Sequence, residues 1–209
     1  DIRDALAYGC NVFVVDNLNE LAKFKAYKDE VELLVRLSFR NSEAFADLSK
    51  KFGCSPEQAL TIIETAKEWN IRIKGLSFHV GSQTMNPQKY VDAIRTCKQV
   101  MEQVVERGLP ALSTLDIGGG FPAFYGEEIQ HPTAYAARVI ELVKQRFGDV
   151  PRVMAEPGRG LVAEAGHIAA EVMLVSRKSA DDLHRWVYLD IGKFSGLAET
   201  MDEATGISS

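Results

Sequence analysis

The chain has 209 residues, 46% of them hydrophobic and 25% charged, with a formal net charge of −5. That balance describes an ordinary soluble globular chain, and the acidic charge argues against nucleic acid as the main partner and for small molecules or other proteins. No run reaches the roughly 18 apolar residues of a membrane span and nothing reads as a signal peptide. The three cysteines, Cys10, Cys54 and Cys97, include no C-x-x-C pair, so reduced thiols and a cytoplasmic setting are expected.

In chain order, Ile2, Ala5 and Leu6 followed by Gly9 read as a helix, so the chain opens inside a helical pattern on Asp1 rather than Met, as if cut from something longer. "NVFVVDN" reads as a buried strand, and Asn17 with Glu20 as a capping box for the next helix. "VELLVRLSF" is a second strand. "SPEQALTIIETAKEW" is a helix with Ser55 as N-cap, Pro56 in the first position and Gln58 completing a capping box. "IRIKGLSFHV" is a third strand; the helix after it starts at Asn86-Pro87, carries Tyr90, Ile94, Cys97, Met101 and Val104 on one face, and stops at Gly108. "LSTLDI" is a fourth strand, a helix with Tyr135, Val139, Leu142, Val143 and Phe147 runs to Gly148, and "PRVMAE" is a fifth strand. Alternating strand and helix imply a parallel sheet.

His79 to Ile117 is 38 residues and Ile117 to Glu156 is 39, so His79, the glycines after Ile117, and Glu156 fall at the carboxyl ends of successive strands, on the face where parallel α/β folds bind ligands. Five strands suit either an open doubly wound sheet or the later part of an eight-stranded barrel, and the helical start without methionine favours the barrel. After Gly166, "HIAAEVMLVSRK" and "HRWVYLDIG" read as strands joined only by the polar "SADDL", which places a boundary near residue 165. The expected architecture is an α/β chain: a partial (β/α)8 barrel over 1–165, then the start of an antiparallel β domain over 166–209 with a disordered tail "DEATGISS".

Three strand-end motifs carry the chemistry. In "LDIGGGFP", Gly118, Gly119 and Gly120 suit either a sharp turn or a backbone cradle for a phosphate. In "FHVGSQ", His79 and Ser82 suit either a core histidine with a capping serine or a ring contact with a hydroxyl donor. In "AEPGRG", Glu156 and Arg159 flank Pro157-Gly158, as a turn-closing ion pair or as a carboxylate beside a phosphate fork. Together they suit a ligand with a phosphate and a basic heteroaromatic ring.

In this order and spacing the three motifs resemble the fold-type III pyridoxal-phosphate decarboxylases, the ornithine/lysine decarboxylase group; the resemblance extends over nearly the whole chain, including "LSKKFG" and "DIGKFSGL". It implies pyridoxal 5′-phosphate as cofactor, decarboxylation of a small basic amino acid (ornithine or lysine) to a diamine for polyamine biosynthesis, a cytoplasmic homodimer, and no metal. It also implies phosphate binding at Gly118, Gly119 and Gly120. His79 would stack on the ring, Ser82 and Arg159 would meet the phosphate and a ring oxygen, and Glu156, at the start of the Pro157-Gly158 turn, would hold the pyridine nitrogen's proton. The family's Schiff-base lysine lies upstream of Asp1, and the cysteine contributed by the partner subunit lies further toward the C-terminus. Neither Lys74, taken as an outward strand residue, nor Lys193 matches the family position of that lysine, and Asp47 stands where relatives often carry arginine. Diaminopimelate or arginine decarboxylation, and a non-catalytic regulatory homologue of the antizyme-inhibitor kind, are the alternatives.

Overall fold

A computed structural model describes residues 1–39, 51–126, 128–148 and 152–198. Asp47 and the tail from Met201 onward lie outside the described residues. Helix α1 (Ile2–Ala7) leads into strand β1 (Val12–Val15), α2 (Leu18–Ala22) with a 3-10 turn over Lys23–Tyr27, and β2 (Glu32–Leu37). There follow α3 (Pro56–Glu68), β3 (Arg72–Phe78), α4 (Lys89–Glu106), β4 (Thr114–Asp116), α5 (Pro132–Phe147), β5 (Arg152–Met154) and a short α6 (Gly158–Val162). The first five strands form one parallel sheet in the order β1-β2-β3-β4-β5, each neighbour pair joined by a helical crossover. Five parallel strands in sequence order fit part of a (β/α)8 barrel. The last two strands, β6 (Val172–Ser176) and β7 (Trp186–Leu189), pair antiparallel in a separate two-stranded sheet. Among the described residues no helix is long and apolar enough to cross a membrane.

Local chemistry sets the element boundaries. Ser55 Oγ accepts from the Gln58 N–H (3.2 Å) while the Gln58 side chain accepts from the Ser55 N–H (2.9 Å), so both halves of the expected capping box form at α3. At α2 only half forms: Asn17 Oδ1 accepts from the Glu20 N–H (2.8 Å), but the Glu20 carboxylate turns to Lys23 Nζ (2.6 Å). Helix α4 begins later than the sequence suggests. Asn86 Oδ1 accepts from the Gln88 N–H (2.9 Å), closing a turn around Pro87 before Lys89 starts the helix. Gly108 and Gly148 end α4 and α5 with φ of +67° and +66°.

Strand register separates the two sheet faces. Val35, Leu37, Leu76, Phe78, Leu115 and Ile117 pack with α3, α4 and α5 in the buried core. On the opposite face Arg36, Ser77, Asp116 and Met154 line up across β2, β3, β4 and β5. Alternation along each strand does this: one face reads apolar, the other carries the polar row. Among the described residues the buried hydroxyls of Ser77 and Thr114 on that face have no partner.

Between β2 and β3 the register slips at Leu33/Leu34, leaving Lys74 as the extra residue of a bulge. Lys74 is therefore not an outward strand residue. Its side chain is 17% exposed and its ammonium pairs with Glu32, which also binds Arg72 (2.8 Å). The Lys74 hydrogen bond, aided by the charges of Lys74, Arg72 and Arg152, holds the Glu32 carboxyl below the usual range against the effect of burial.

Candidate active site

The loops after β3, β4 and β5 meet at the carboxyl end of the sheet. His79 Nδ1 accepts from the Gly81 N–H (3.0 Å), which fixes the ring and leaves Nε2 as the protonated nitrogen of the neutral tautomer. Burial, with the charge of Arg36, lowers the His79 pKa from 6.5, and Asp116 opposes it; the imidazole is neutral at pH 7.

Gly118 and Gly120 take φ of +63° and +107°, conformations that disfavour any side chain. All three glycine carbonyls are engaged by other elements. Gly118 O accepts from the Glu156 N–H (2.8 Å), Gly119 O from the Tyr90 hydroxyl (2.9 Å) and Gly120 O from the Thr84 N–H (2.8 Å). The Gly118 N–H donates to Asp116 Oδ1 (2.9 Å). Among the described residues the N–H groups of Gly119 and Gly120 have no partner, so the turn offers two donors toward an incoming anion. A Cβ at Gly119 would lie 2.7 Å from the Glu156 carbonyl oxygen and 2.9 Å from His79 Nε2. Gly119 thus faces both the loop after β3 and the loop after β5. This geometry fits a phosphate with a ring beside it.

Beneath the loops, Phe78, Tyr90, Phe121 and Tyr135 pack in edge and tilted contacts with centroids 5.9–6.4 Å apart. Tyr90 and Tyr135 are completely buried, but their hydroxyls reach up to Gly119 O and to Thr84 O (2.6 Å). Burial raises both phenol pKa values, so both remain neutral donors.

The charges that shift Glu156 are not those of a Glu156–Arg159 pair. Burial first, then the charge of Asp116 and a hydrogen bond with its carboxyl, raise the Glu156 pKa, and Arg36 opposes them. Arg159 instead donates from Nε to Ser82 Oγ (3.3 Å) and from Nη1 to the Tyr125 hydroxyl (2.7 Å). Pro157 caps α6, and the Gly158 N–H donates to Glu156 O (2.9 Å). A Cβ at Gly158 meets nothing within 4 Å, whereas one at Gly160 would lie 2.9 Å from Phe121 Cβ, so Gly160 rather than Gly158 needs to be small.

The structure therefore gathers His79, Ser82, Gly118, Gly119, Gly120, Glu156 and Arg159 at one sheet end, and adds Arg36, Asp116, Tyr90 and Tyr125. Residues 1–163 match the family described as pyridoxal-dependent decarboxylase, pyridoxal binding domain. The chain belongs to that family.

The cofactor of such a domain is pyridoxal 5′-phosphate, and its named relatives are amino acid decarboxylases, which are carbon–carbon lyases. The chain is 33% identical over 198 residues to an ornithine decarboxylase of Schizosaccharomyces pombe, covering 94% of this chain and 44% of that protein. It is 29% identical over 199 residues to a lysine/ornithine decarboxylase of Selenomonas ruminantium, covering 94% and 50%. Among solved structures it is similar to the lysine/ornithine decarboxylase of Vibrio vulnificus complexed with cadaverine, at 60% identity and a TM-score of 0.84, over 98% of this chain and 52% of that one. It is also similar to the arginine decarboxylase of Paramecium bursaria Chlorella virus bound to agmatine, at 26% identity and a TM-score of 0.82, over 94% and 52%. The chain spans about half the length of the relatives it matches.

Proposed function

We propose that the protein carrying this chain decarboxylates a basic amino acid, ornithine or lysine, to the diamine used in polyamine biosynthesis, as a homodimer. Residues 1–165 supply the cofactor-binding later part of a (β/α)8 barrel, and residues from 166 begin its antiparallel β domain. The observation that carries this reading is the Gly119 turn, with its carbonyls tied back and two N–H groups left for an anion, set against the His79 ring and the Glu156 chain. Bound there, pyridoxal phosphate supplies an electron sink for the pair left when the bond to the carboxylate breaks.

The chain's own residues do the rest. Gly119 and Gly120 donate N–H groups to the phosphate, and Arg159 with Ser82 adds charge-assisted donors. His79, held neutral and fixed through Nδ1, offers a flat face to the ring without adding a positive charge beside it. Glu156 holds the pyridine nitrogen's proton, and its raised pKa suits a carboxyl that shares a proton rather than discarding it. The substrate class rests on similarity to the enzyme complexed with cadaverine and with putrescine, both at 60% identity.

The test is CO2 release by the purified full-length protein, supplied separately with ornithine, lysine, arginine and diaminopimelate. Release from ornithine or lysine is expected. Release only from arginine or diaminopimelate would overturn the substrate, and cofactor uptake without release from any of them would favour a regulatory homologue.

A further inference from the structure

Tyr125 lies in the loop between β4 and α5, outside the three motifs, yet it is tied to the site. The loop is anchored two residues earlier: Gln83 Nε2 donates to Ala123 O (2.6 Å) and Gln83 Oε1 accepts from the Ala123 N–H (2.9 Å). Gln83 makes both bonds from a left-handed backbone, φ +54°, a conformation seldom kept by a non-glycine residue unless its surroundings impose it. From that anchor the Tyr125 ring faces the Arg159 guanidinium at 5.4 Å, and its hydroxyl oxygen accepts from Nη1 at 2.7 Å. Arg159 Nε simultaneously donates to Ser82 Oγ.

Both hydroxyls accept from the same cation, so each keeps its own proton to donate. A guanidinium flanked by two such hydroxyls is a set of donors suited to one tetrahedral oxyanion. We propose that Tyr125 is a further residue of the phosphate subsite: it positions Arg159 through its ring and donates its own O–H to the phosphate. This rests on the cofactor reading above and adds a residue to it.

The test uses the full-length apoprotein and its Tyr125→Phe and Tyr125→Ala variants, with three probes: pyridoxal phosphate, pyridoxal lacking the phosphate, and inorganic phosphate. Dissociation constants come from absorbance or fluorescence titration, and a thermal melt of each apoprotein reports the fold. Tyr125→Phe, which keeps the ring, is expected to weaken pyridoxal phosphate by roughly tenfold, and Tyr125→Ala by more. Pyridoxal binding should move by less than about twofold in either. Inorganic phosphate should follow pyridoxal phosphate. Equal losses for pyridoxal and pyridoxal phosphate, or unchanged affinity for pyridoxal phosphate in Tyr125→Ala, would overturn the assignment and leave the cofactor reading intact. If the parent takes up no pyridoxal phosphate, the cofactor reading fails, and the assignment then stands or falls on whether inorganic phosphate binding depends on Tyr125.

Discussion

Asp116, which ends β4, raises the pKa of Glu156, two residues beyond the end of the neighbouring strand β5. Asp116 also accepts the Gly118 N–H, so one buried carboxyl both shapes the glycine turn and raises the Glu156 pKa. The ionised form of Glu156 is the one that pairs with a protonated ring nitrogen, so cofactor affinity should fall as pH drops through the Glu156 pKa. Asp116→Asn removes the like charge and lowers that pKa. Tight cofactor binding should then persist to lower pH than in the parent. Dissociation constants measured across the acid range would show it; an unmoved profile would break the link between the two carboxyls.

The three glycines should respond differently to alanine. At Gly118 a Cβ would lie 2.0 Å from the Phe78 carbonyl oxygen on a backbone with φ +63°, so Gly118→Ala should mainly lower the apoprotein melting temperature. At Gly119 the obstacles are the Glu156 carbonyl and the His79 imidazole, on a backbone that needs no left-handed φ. Gly119→Ala should cost cofactor affinity more than stability. A melt and a cofactor titration on the same preparation make the comparison, and normal uptake by a destabilised Gly119→Ala protein would reject the phosphate role.

Arg159→Ala should weaken cofactor binding by about 1.5–3 kcal/mol, the worth of a charge-assisted contact. Glu156→Ala should instead reduce turnover more than cofactor retention, because it serves the reacting ring rather than the anchor. Measuring both kcat and the cofactor dissociation constant separates them; parental values in both variants would remove Glu156 and Arg159 from the site.

Tyr90→Phe deletes the hydroxyl that caps the Gly119 carbonyl while sparing the aromatic cluster. Leaving a buried carbonyl unpaired costs about 1–3 kcal/mol. Urea unfolding of the apoprotein should show that loss, with a smaller drop in cofactor affinity as the turn loosens. No change in unfolding midpoint would mean that the carbonyl finds another donor.

Glu32, away from the site, sets an acid limit. Its carboxyl pKa lies below 4.5, chiefly through the Lys74 hydrogen bond, so the folded state holds this proton less tightly than the unfolded chain. The stabilisation is complete above the ordinary carboxylate range and drains away as pH falls through the lowered value. Glu32→Gln should flatten the acid limb of the stability curve, read from urea midpoints across that range; an unchanged limb would show that other carboxylates set it.

The β–α alternation and the three motifs were legible because each rests on local chemistry: periodic apolar residues, capping residues and glycines at strand ends. What the sequence hid was pairing at a distance. Tyr90 and Tyr135 read as members of apolar stripes, and nothing local shows that their hydroxyls cap loops 29 and 51 residues away. Asp116 was visible only as the acid before the glycines; its partner sits beyond the end of the next strand. Arg36 falls mid-strand in "VELLVRLSF", and the cross-strand register is what aligns it with Ser77 and Asp116. Helix α6 is five residues containing two glycines, too short to give a periodic signal. Lys74 was misplaced because a bulge breaks the alternation on which an outward reading depends.

The tied carbonyls of the glycine turn divide its neighbouring amides into two classes of solvent-deuterium exchange. The amides of Glu156 and Thr84 lock the turn to β5 and to the loop after β3. They should exchange only when that whole part of the sheet opens. The amides of Gly119 and Gly120, with no acceptor among the described residues, should exchange early even in the fully folded protein. An anion seated on the turn would close that gap, so the mass shift of one short peptide spanning residues 115–122 would report occupancy of the site without any substrate being turned over.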